Sequence, residues 1–418
     1  MRFLLVCVCL FSGLSHLAGA EPATWSQWRG PNRDGTIQAP AWPSKIDEAT
    51  LIPKWQVELQ PSYSGPIVTA DRIYTTETRD REQEFVSAYD RATGEKSWEV
   101  GWPGEMSVPF FAKENGSWIR ATPAYDGESL YVAGIRDVLV CLDAKTGSVN
   151  WRVDFMEVLK SDLPAFGMVC SPLVVGDFVY IQAGSCFVKL NKKTGDIIWK
   201  SLKDEGGMMG SAFSSPMQAT IGGVPQLLVQ TRTRLVGVDP ETGNELWGQE
   251  IEAFRGMNIL TPVVFNEQIF TSAYGGQSLM FQLTKDGASW AAKEAWRTKQ
   301  QGYMSTPVVI DGHAYMHLKN QRFACIDLKT GEERWTTKPY GKYWSLVANG
   351  NKILALDETG KLRLIEANPK EFTQLDEREV ASESAWAHLA VCDSDVCIRS
   401  LRKLTVMQWG TKAGKSPQ

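Results

Sequence analysis

Short runs of alternating apolar and polar residues recur along almost the whole chain. In "SPLVVGDFVYIQAG" (171–184) and "TPVVIDGHAYMHL" (306–318), two such runs flank a tight turn, as at Gly176-Asp177. Alternation with a period of two predicts β-strands, and two strands around a two-residue turn predict a hairpin. The pattern therefore indicates an all-β chain built from successive hairpins.

A second phrase closes each of these units. The stretch "LDAKTGSVNW" (142–151) returns with small changes as "YDRATGEKSW", "LNKKTGDIIW", "VDPETGNELW" and "IDLKTGEERW". The aspartate is expected to bind the turn amides, and the glycine to adopt a positive φ. The tryptophan supplies a large apolar plate that is expected to wedge between neighbouring sheets. We therefore assign a structural role to the closing aromatic residues, which are Trp55, Trp98, Trp151, Trp199, Trp247, Trp296, Trp335 and Phe372.

The units are counted from their openings, which are Ser/Thr-Pro pairs or degenerate forms of them. They are Gly65-Pro66, Thr122-Pro123, Ser171-Pro172, Ser215-Pro216, Thr261-Pro262, Thr306-Pro307, Ser345-Leu346 and His388-Leu389. Four short strands in a unit of roughly 40–50 residues are the signature of a propeller blade. The last unit has three strands, and "LIPKWQVEL" (51–59) is expected to supply its fourth. The predicted fold is an all-β, eight-bladed β-propeller of four-stranded antiparallel blades over residues 51–410. Closure of its ring by the N-terminal strand is expected to leave no free sheet edge at which the protein could aggregate.

The two ends of the chain lie outside this predicted propeller. Residues 1–20 have one positive charge at Arg2, an apolar core too short to span a membrane, and a final Ala-Gly-Ala. This is the pattern of a cleaved export signal, so we expect a soluble protein in the periplasm or outside the cell. Residues 21–50 form an N-terminal segment with the motif "WSQWRGPNRDG", whose two tryptophans and Arg29 are expected to pack on a propeller face. Residues 411–418 are expected to be a disordered tail.

Six cysteines remain after the signal, and sequence alone leaves their pairing open. Cys392 and Cys397 flank the turn "CDSDVC" and are placed to face each other across a hairpin, whereas Cys141 and Cys325 occupy a small, buried repeat position. The chain has a formal net charge of −4 and no basic block, which argues against a nucleic-acid partner. No further stretch reaches the length of a membrane span, and we expect a monomer.

The repeat ending "LDAKTGSVNW" resembles the signature of the pyrroloquinoline-quinone-like repeat propellers, and the resemblance runs from residue 51 to about 410. The sequence departs from this signature in the fifth unit, "LTKDGASWAAKEAW", and in the seventh, "ANPKEF". Two groups in this family imply different functions. The propeller lipoprotein of the outer-membrane β-barrel assembly machinery is a scaffold without a cofactor. Quinoprotein alcohol dehydrogenases hold the quinone and calcium in the funnel and stack the quinone on two adjacent cysteines. This sequence has no adjacent cysteines and also lacks the scaffold's lipid-attachment cysteine.

Motifs for the common catalytic and metal sites are missing. There is no G-x-S-x-G, P-loop, H-E-x-x-H or C-x-x-C-H sequence. His313 and His317 are four residues apart on a predicted strand, a separation of about 13 Å that one zinc ion cannot bridge. Asp393 and Asp395 are better explained as a polar hairpin turn than as a cation site. We therefore expect neither catalysis nor a cofactor.

Methionine and aromatic residues recur just ahead of the blade openings. Because first strands line a propeller channel, these residues are expected to ring one of its mouths and form an apolar site of the kind that suits adaptable recognition. The candidate partner-binding residues are Arg120, Met168, Phe213, Met257, Met304, Trp344 and Trp386. The alternative is that these residues fill the funnel mouth as part of the hydrophobic core. The expected function is an exported binding or scaffold protein for an unknown protein, peptide or small-molecule partner, and a quinone-dependent oxidoreductase is the second hypothesis.

Overall fold

Eight blades, each built on a four-stranded antiparallel sheet, form a ring in the computed structural model, as the repeat count predicted, and one of them gains a fifth, parallel strand. The structure describes residues 23–204 and 211–410, so the expected export signal and C-terminal tail lie outside the described residues. Two strands precede the first complete blade, β1 (Thr36–Ile37) and β2 (Leu51–Glu58). Among these described residues, helix is limited to α1 (Phe155–Leu159) and two short 3-10 segments, Phe110–Asn115 and Phe254–Gly256.

Blades one to seven each use four strands that follow one another in the chain. Blades one to four contain β3 (Ile67–Val68), β4 (Arg72–Arg79), β5 (Gln83–Asp90) and β6 (Lys96–Pro103); β7 (Ala124–Tyr125), β8 (Ser129–Gly134), β9 (Val138–Asp143) and β10 (Val149–Asp154); β11 (Leu173–Val175), β12 (Phe178–Ala183), β13 (Cys186–Asn191) and β14 (Ile197–Ser201); β15 (Met217–Ile221), β16 (Val224–Gln230), β17 (Arg234–Val238) and β18 (Glu245–Glu250). Blades five to seven contain β19 (Val263–Phe265), β20 (Gln268–Ser272), β21 (Ser278–Asp286) and β22 (Ser289–Thr298); β23 (Val308–Ile310), β24 (His313–His317), β25 (Arg322–Asp327) and β26 (Glu333–Pro339); β27 (Trp344–Asn349), β28 (Lys352–Asp357), β29 (Lys361–Glu366) and β30 (Thr373–Glu379).

The eighth blade joins the two ends of the ring. Its strands are β31 (Ala390–Cys392), β32 (Asp395–Ser400) and β33 (Lys403–Trp409), and β2 pairs antiparallel with β33 from Leu51↔Trp409 to Glu58↔Lys403. Arg91 of blade one strengthens this junction by donating to Asp395 at 2.7 Å and to Asp393 at 3.2 Å. The predicted closure is therefore present, and the two aspartates bind a guanidinium group.

The closing tryptophans lie against the turn of the following blade. A Cβ atom added to the turn glycine would come within 2.6–2.8 Å of the indole in five such pairs. These pairs are Gly94 with Trp55, Gly147 with Trp98, Gly195 with Trp151, Gly243 with Trp199 and Gly331 with Trp296. Each of these glycines has a positive φ. Glycine is thus required twice, for the backbone conformation and for the space the ring occupies.

Hydrogen bonds hold several of these indoles in place. Nε1 donates across the blade boundary at 2.8–3.1 Å from Trp55 to Arg91 O, Trp98 to Ala144 O, Trp151 to Lys192 O, Trp296 to Leu328 O and Trp335 to Asn368 O. Trp247 differs and donates to Gln226 of its own blade at 2.7 Å. The blade that follows Trp247 is the one whose Thr-Gly turn is replaced by a longer hairpin, so the usual acceptor is missing. Phe372 packs against Trp335 and Phe323.

A second set of contacts links the blade openings around the channel. The opening hydroxyl of one blade accepts a hydrogen bond from the opening amide of the preceding blade, at 3.0–3.3 Å. The pairs run from Gly65 N to Thr122 Oγ1, Thr122 N to Ser171 Oγ, Ser171 N to Ser215 Oγ, Ser215 N to Thr261 Oγ1 and Thr261 N to Thr306 Oγ1. The recurrent Ser or Thr before proline therefore satisfies a buried amide of the neighbouring blade.

The motif "WSQWRGPNRDG" enters the channel instead of lying on an outer face. Arg29 Nη1 donates to Thr306 O and Nη2 to Pro307 O, both at 2.6 Å. From the same segment, Arg33 donates to Pro172 O at 2.8 Å and Ser171 O at 3.1 Å. Both guanidinium groups are buried, and they tie the openings of blades three and six together across the axis. We call residues 25–37 the plug.

The cysteine prediction at the last hairpin is wrong. Cys392 pairs with Asp395 and Cys397 with Ala390, so the two sulfurs do not face each other across the ladder. Cys392 Sγ instead donates to Ala23 O at 3.1 Å. All six cysteines of the described chain are free, and Cys141 and Cys325 are buried as expected.

Candidate functional site

One mouth of the channel is a concave funnel with a cavity of about 230 Å³. Its lining comes from segments just ahead of the blade openings, together with one plug residue. The lining residues are Trp28, Tyr63, Arg120, Thr122, Phe166, Val169, Ser171, Phe213, Ser215, Met257, Ile259, Tyr303, Met304, Tyr343, Trp386 and His388. Aromatic and aliphatic side chains dominate, and three opening hydroxyl groups lie among them.

Five of the seven candidate residues meet in this funnel. They are Arg120, Phe213, Met257, Met304 and Trp386. Trp386 stacks on Tyr343 with ring centroids 5.5 Å apart and also contacts Tyr63 at 6.2 Å. All eight blades contribute to the lining around Trp28.

Met168 and Trp344 do not line the funnel. Trp344 begins β27 and is fully buried in the blade, 4.8 Å from Phe323 and 5.3 Å from His317 between ring centroids. Tyr343, one residue earlier, lines the funnel instead. Met168 is buried between blades two and three, and its neighbour Val169 lines the funnel. In an extended chain, neighbouring side chains point to opposite sides. An error of one residue in the prediction therefore assigns a core residue to the funnel.

Arg120 places a positive charge in this apolar surface. Its Nη2 donates to Gly116 O at 2.8 Å and its Nε to Trp118 O at 3.2 Å. The guanidinium carbon lies 6.0 Å from the centre of the Tyr63 ring. Among the described residues, no carboxylate forms an ion pair with Arg120. Burial lowers the pKa of Arg120 to about 10, which leaves the group charged at neutral pH.

The plug closes the bottom of the funnel. Trp28 lines the cavity and meets His388 edge-on with ring centroids 6.0 Å apart, and Trp25 stacks on the same imidazole with ring centroids 6.2 Å apart. His388 Nδ1 lies 2.8 Å from Leu389 O, and burial lowers the pKa of His388 to about 3. The imidazole is therefore neutral at physiological pH. Trp28, Tyr63, Tyr343 and His388 were missed as site residues. Position just before an opening would have found Tyr63 and Tyr343, and His388 is itself the first residue of an opening.

The funnel does not fit a quinone with calcium. Calcium takes six to eight oxygen ligands, usually with carboxylates among them. No carboxylate is among the described residues that line the cavity. Within residues 23–204 and 211–410, no three His, Cys, Asp or Glu side chains are grouped to hold a metal ion. His313 and His317 have separate backbone partners, Asp311 O and Tyr340 O.

Within the part of the chain that the structure describes, none of the helices combines the length and the apolar character needed to cross a bilayer. The repeat and the closed ring define an eight-bladed propeller of the pyrroloquinoline-quinone-like type. A family model described as "Outer membrane protein assembly factor BamB" matches residues 81–337, more than half of the sequence. The chain belongs to this family.

Individual relatives agree with this assignment. Outer membrane protein assembly factor BamB of Moranella endobia (strain PCIT) is 24% identical over 296 residues, which cover 67% of this chain and 70% of that protein. The protein of the same name from Yersinia pestis is 21% identical over 346 residues and 79% of each chain. The crystal structure of BamB from Moraxella catarrhalis has a TM-score of 0.63 at 16% identity, covering 88% of this chain and 99% of that one. The likeness to the solved structure concerns the fold.

Proposed function

We propose that this protein is an exported, non-catalytic scaffold that takes part in outer-membrane protein assembly and holds a segment of its partner in the funnel. The role in outer-membrane protein assembly is supported by the names of its relatives, and the choice of the funnel as the binding site is supported by its apolar lining. The observation that carries the proposal is a blind aromatic cavity that contains Arg120 and, among the described residues, has no lining carboxylate. Such a surface binds and orients a ligand but has no group arranged for acid–base or metal chemistry.

The expected ligand has an apolar or aromatic body and an acidic group. Met257 and Met304 are flexible and polarisable, so they adapt to differently shaped apolar side chains. Arg120 has five N–H donors, and two backbone carbonyls receive bonds from two of them. The remaining donors favour a carboxylate, for example at a peptide C-terminus.

The test pairs binding with stability. A photo-crosslinking amino acid at Met304 identifies the bound partner in the exported fraction of the source cells, and outer-membrane protein levels are measured in cells that lack the gene. Trp386→Ala and Tyr343→Ala should abolish crosslinking and fail to restore those levels, with little change in melting temperature. Trp199→Ala, which removes a contact between blades three and four, should lower the melting temperature and retain crosslinking.

Arg120 is tested with matched probes, acetyl-Ala-Phe-Phe as the free acid and as its amide. The free acid should bind the natural chain more tightly, and Arg120→Met should remove that preference while the chain stays folded. Equal affinity of the two probes for the natural chain contradicts the acidic-ligand assignment. Full function of the Trp386→Ala and Tyr343→Ala chains in cells contradicts the funnel as the partner site. Alcohol-dependent dye reduction after addition of pyrroloquinoline quinone and calcium would favour the oxidoreductase hypothesis.

A further inference from the structure

The first strand of blade four has an unusually long free edge. Most first strands span two or three residues, but β15 has five and β27 has six. The channel-facing edge of β27 is covered by β1, with Thr36 opposite Ala348 and Ile37 opposite Asn349 in parallel register. In the described residues no strand pairs with β15 on the corresponding side. The ring thus contains one first strand that has gained a partner and one that offers the same kind of edge.

The register of β15 shows which of its backbone groups point into the channel. Ile221 and Val224 flank a two-residue turn of Gly222 and Gly223, both with positive φ. The flanking pair of such a hairpin exchanges hydrogen bonds, and pairs alternate from there. Thr220 therefore falls in a non-bonded pair, opposite Pro225, which has no N–H to donate.

Gln218 falls in the next non-bonded pair, opposite Leu227. The N–H and C=O groups of Gln218 and Thr220 consequently point away from β16 and towards the channel. Both residues are exposed. No backbone hydrogen bond to either amide is formed by the described chain outside this hairpin.

A cavity of about 470 Å³ lies beside this edge. One of its walls is apolar and contains Val263, Val264 and Val309. Another is polar and comes from the plug residues Asn32, Arg33, Asp34 and Thr36. The cavity lies beyond the ring of opening residues, so the plug separates it from the funnel.

We propose that the channel edge of β15 binds an extended segment of a partner polypeptide by strand addition. The main-chain groups of Gln218 and Thr220 supply the hydrogen bonds, as in other complexes formed by β-augmentation. The apolar and polar walls suit a segment in which β-branched apolar residues alternate with polar ones. The pairing of β1 with β27 is the precedent within the same ring. This site is independent of the funnel.

The probe is a fluorescein-labelled decapeptide of alternating valine and threonine, added to the full chain. Binding should slow hydrogen exchange at the amides of Gln218 and Thr220. Gln218→Pro and Thr220→Pro each remove one channel-facing N–H without removing a bond to β16, so each should weaken binding about fivefold and preserve the fold. Ala219→Pro is the matched control, because it removes a bond to β16 and should lower the melting temperature.

A peptide N-methylated at all central residues keeps its side chains but cannot donate, and it should not bind. Unchanged affinity of that peptide, or no added protection at Gln218 and Thr220, refutes strand addition. These two readouts use the natural chain and decide the question even if the proline variants fail to fold. Trp386→Ala should leave peptide affinity unchanged; a parallel loss would assign the peptide to the funnel and overturn the β15 site.

Discussion

Replacement of Gly195 by alanine tests whether the tryptophans hold neighbouring blades together. Gly195 is buried at the turn of blade three and has a φ of 76°. A Cβ atom there would lie 2.8 Å from Cδ2 and Cε3 of Trp151 in blade two. Trp151 is itself buried and anchored by its bond to Lys192 O at 2.9 Å. The ring therefore has little freedom to move aside.

Two costs add in this variant. A non-glycine residue in the left-handed region costs about 1–2 kcal/mol. Overpacking of a filled interior costs about 1–3 kcal/mol more. Gly176→Ala is the matched control, because Gly176 also has a positive φ, 58°, but has open space around the added Cβ. The free energy of unfolding should fall by about 2–5 kcal/mol for Gly195→Ala and by only about 1–2 kcal/mol for the control.

Urea unfolding at 25 °C, followed by both tryptophan fluorescence and circular dichroism, measures the difference. Coincident transitions are needed for a single free energy to be meaningful. In a Trp151→Ala background the steric part should disappear, so the two substitutions should be coupled by about 1–3 kcal/mol. Equal losses for Gly195→Ala and Gly176→Ala, or additive effects in the double variant, would refute the wedge.

Three further outcomes follow from closure, burial and the plug. Deletion of residues 51–60 should expose the edge of β33 and cause aggregation, and Trp55→Ala should cost about 2–3 kcal/mol in thermal unfolding because Trp55 is only half-buried; a deletion variant with unchanged solubility would contradict the closure. Burial raises the pKa of Glu84 to about 7 from 4.5, so the folded state keeps a proton that the unfolded state loses between these values. The free energy of unfolding should therefore fall as pH rises from 4.5 to 7 and level off above, and Glu84→Gln should have a flatter profile in urea titrations; an identical slope would remove Glu84 as the cause. Arg29→Met leaves the carbonyls of Thr306 and Pro307 without their donor, so limited proteolysis should cut residues 25–37 sooner than in an Arg81→Met control, where the side chain is exposed.

The repeated features of this protein could be predicted from sequence because each is written several times. Strand alternation, the Thr-Gly turn and the closing tryptophan are local, and agreement between copies corrects the errors of any one copy. The missing strand of blade eight followed from counting, and β2 occupies it. Trp247 shows the limit of prediction from the repeat, because the hydrogen-bond partner of its indole depends on the turn of the next blade.

Features that occur once were harder to predict. Arg29 binds carbonyls 277 and 278 positions away, and nothing near it in the sequence repeats to reveal this distance. Trp344 was assigned to the funnel because both Tyr343 and Trp344 are aromatic, and composition does not fix which of two neighbours faces the channel. The edge of β15 depends on strand length and turn register, which single-sequence patterns locate to within a few residues at best.

The plug has a consequence for the order in which the molecule matures. Residues 25–37 are synthesised before every blade, yet their partners include Thr306, Ala348 and His388, which are synthesised near the end. A nascent chain that stops before blade six has no carbonyls to receive Arg29. The plug therefore cannot be bound while the ring is incomplete. Its entry into the channel is a late folding step that requires blades from both ends of the chain. Protection of residues 25–37 from proteolysis therefore indicates that the late blades have been synthesised and have closed around this segment.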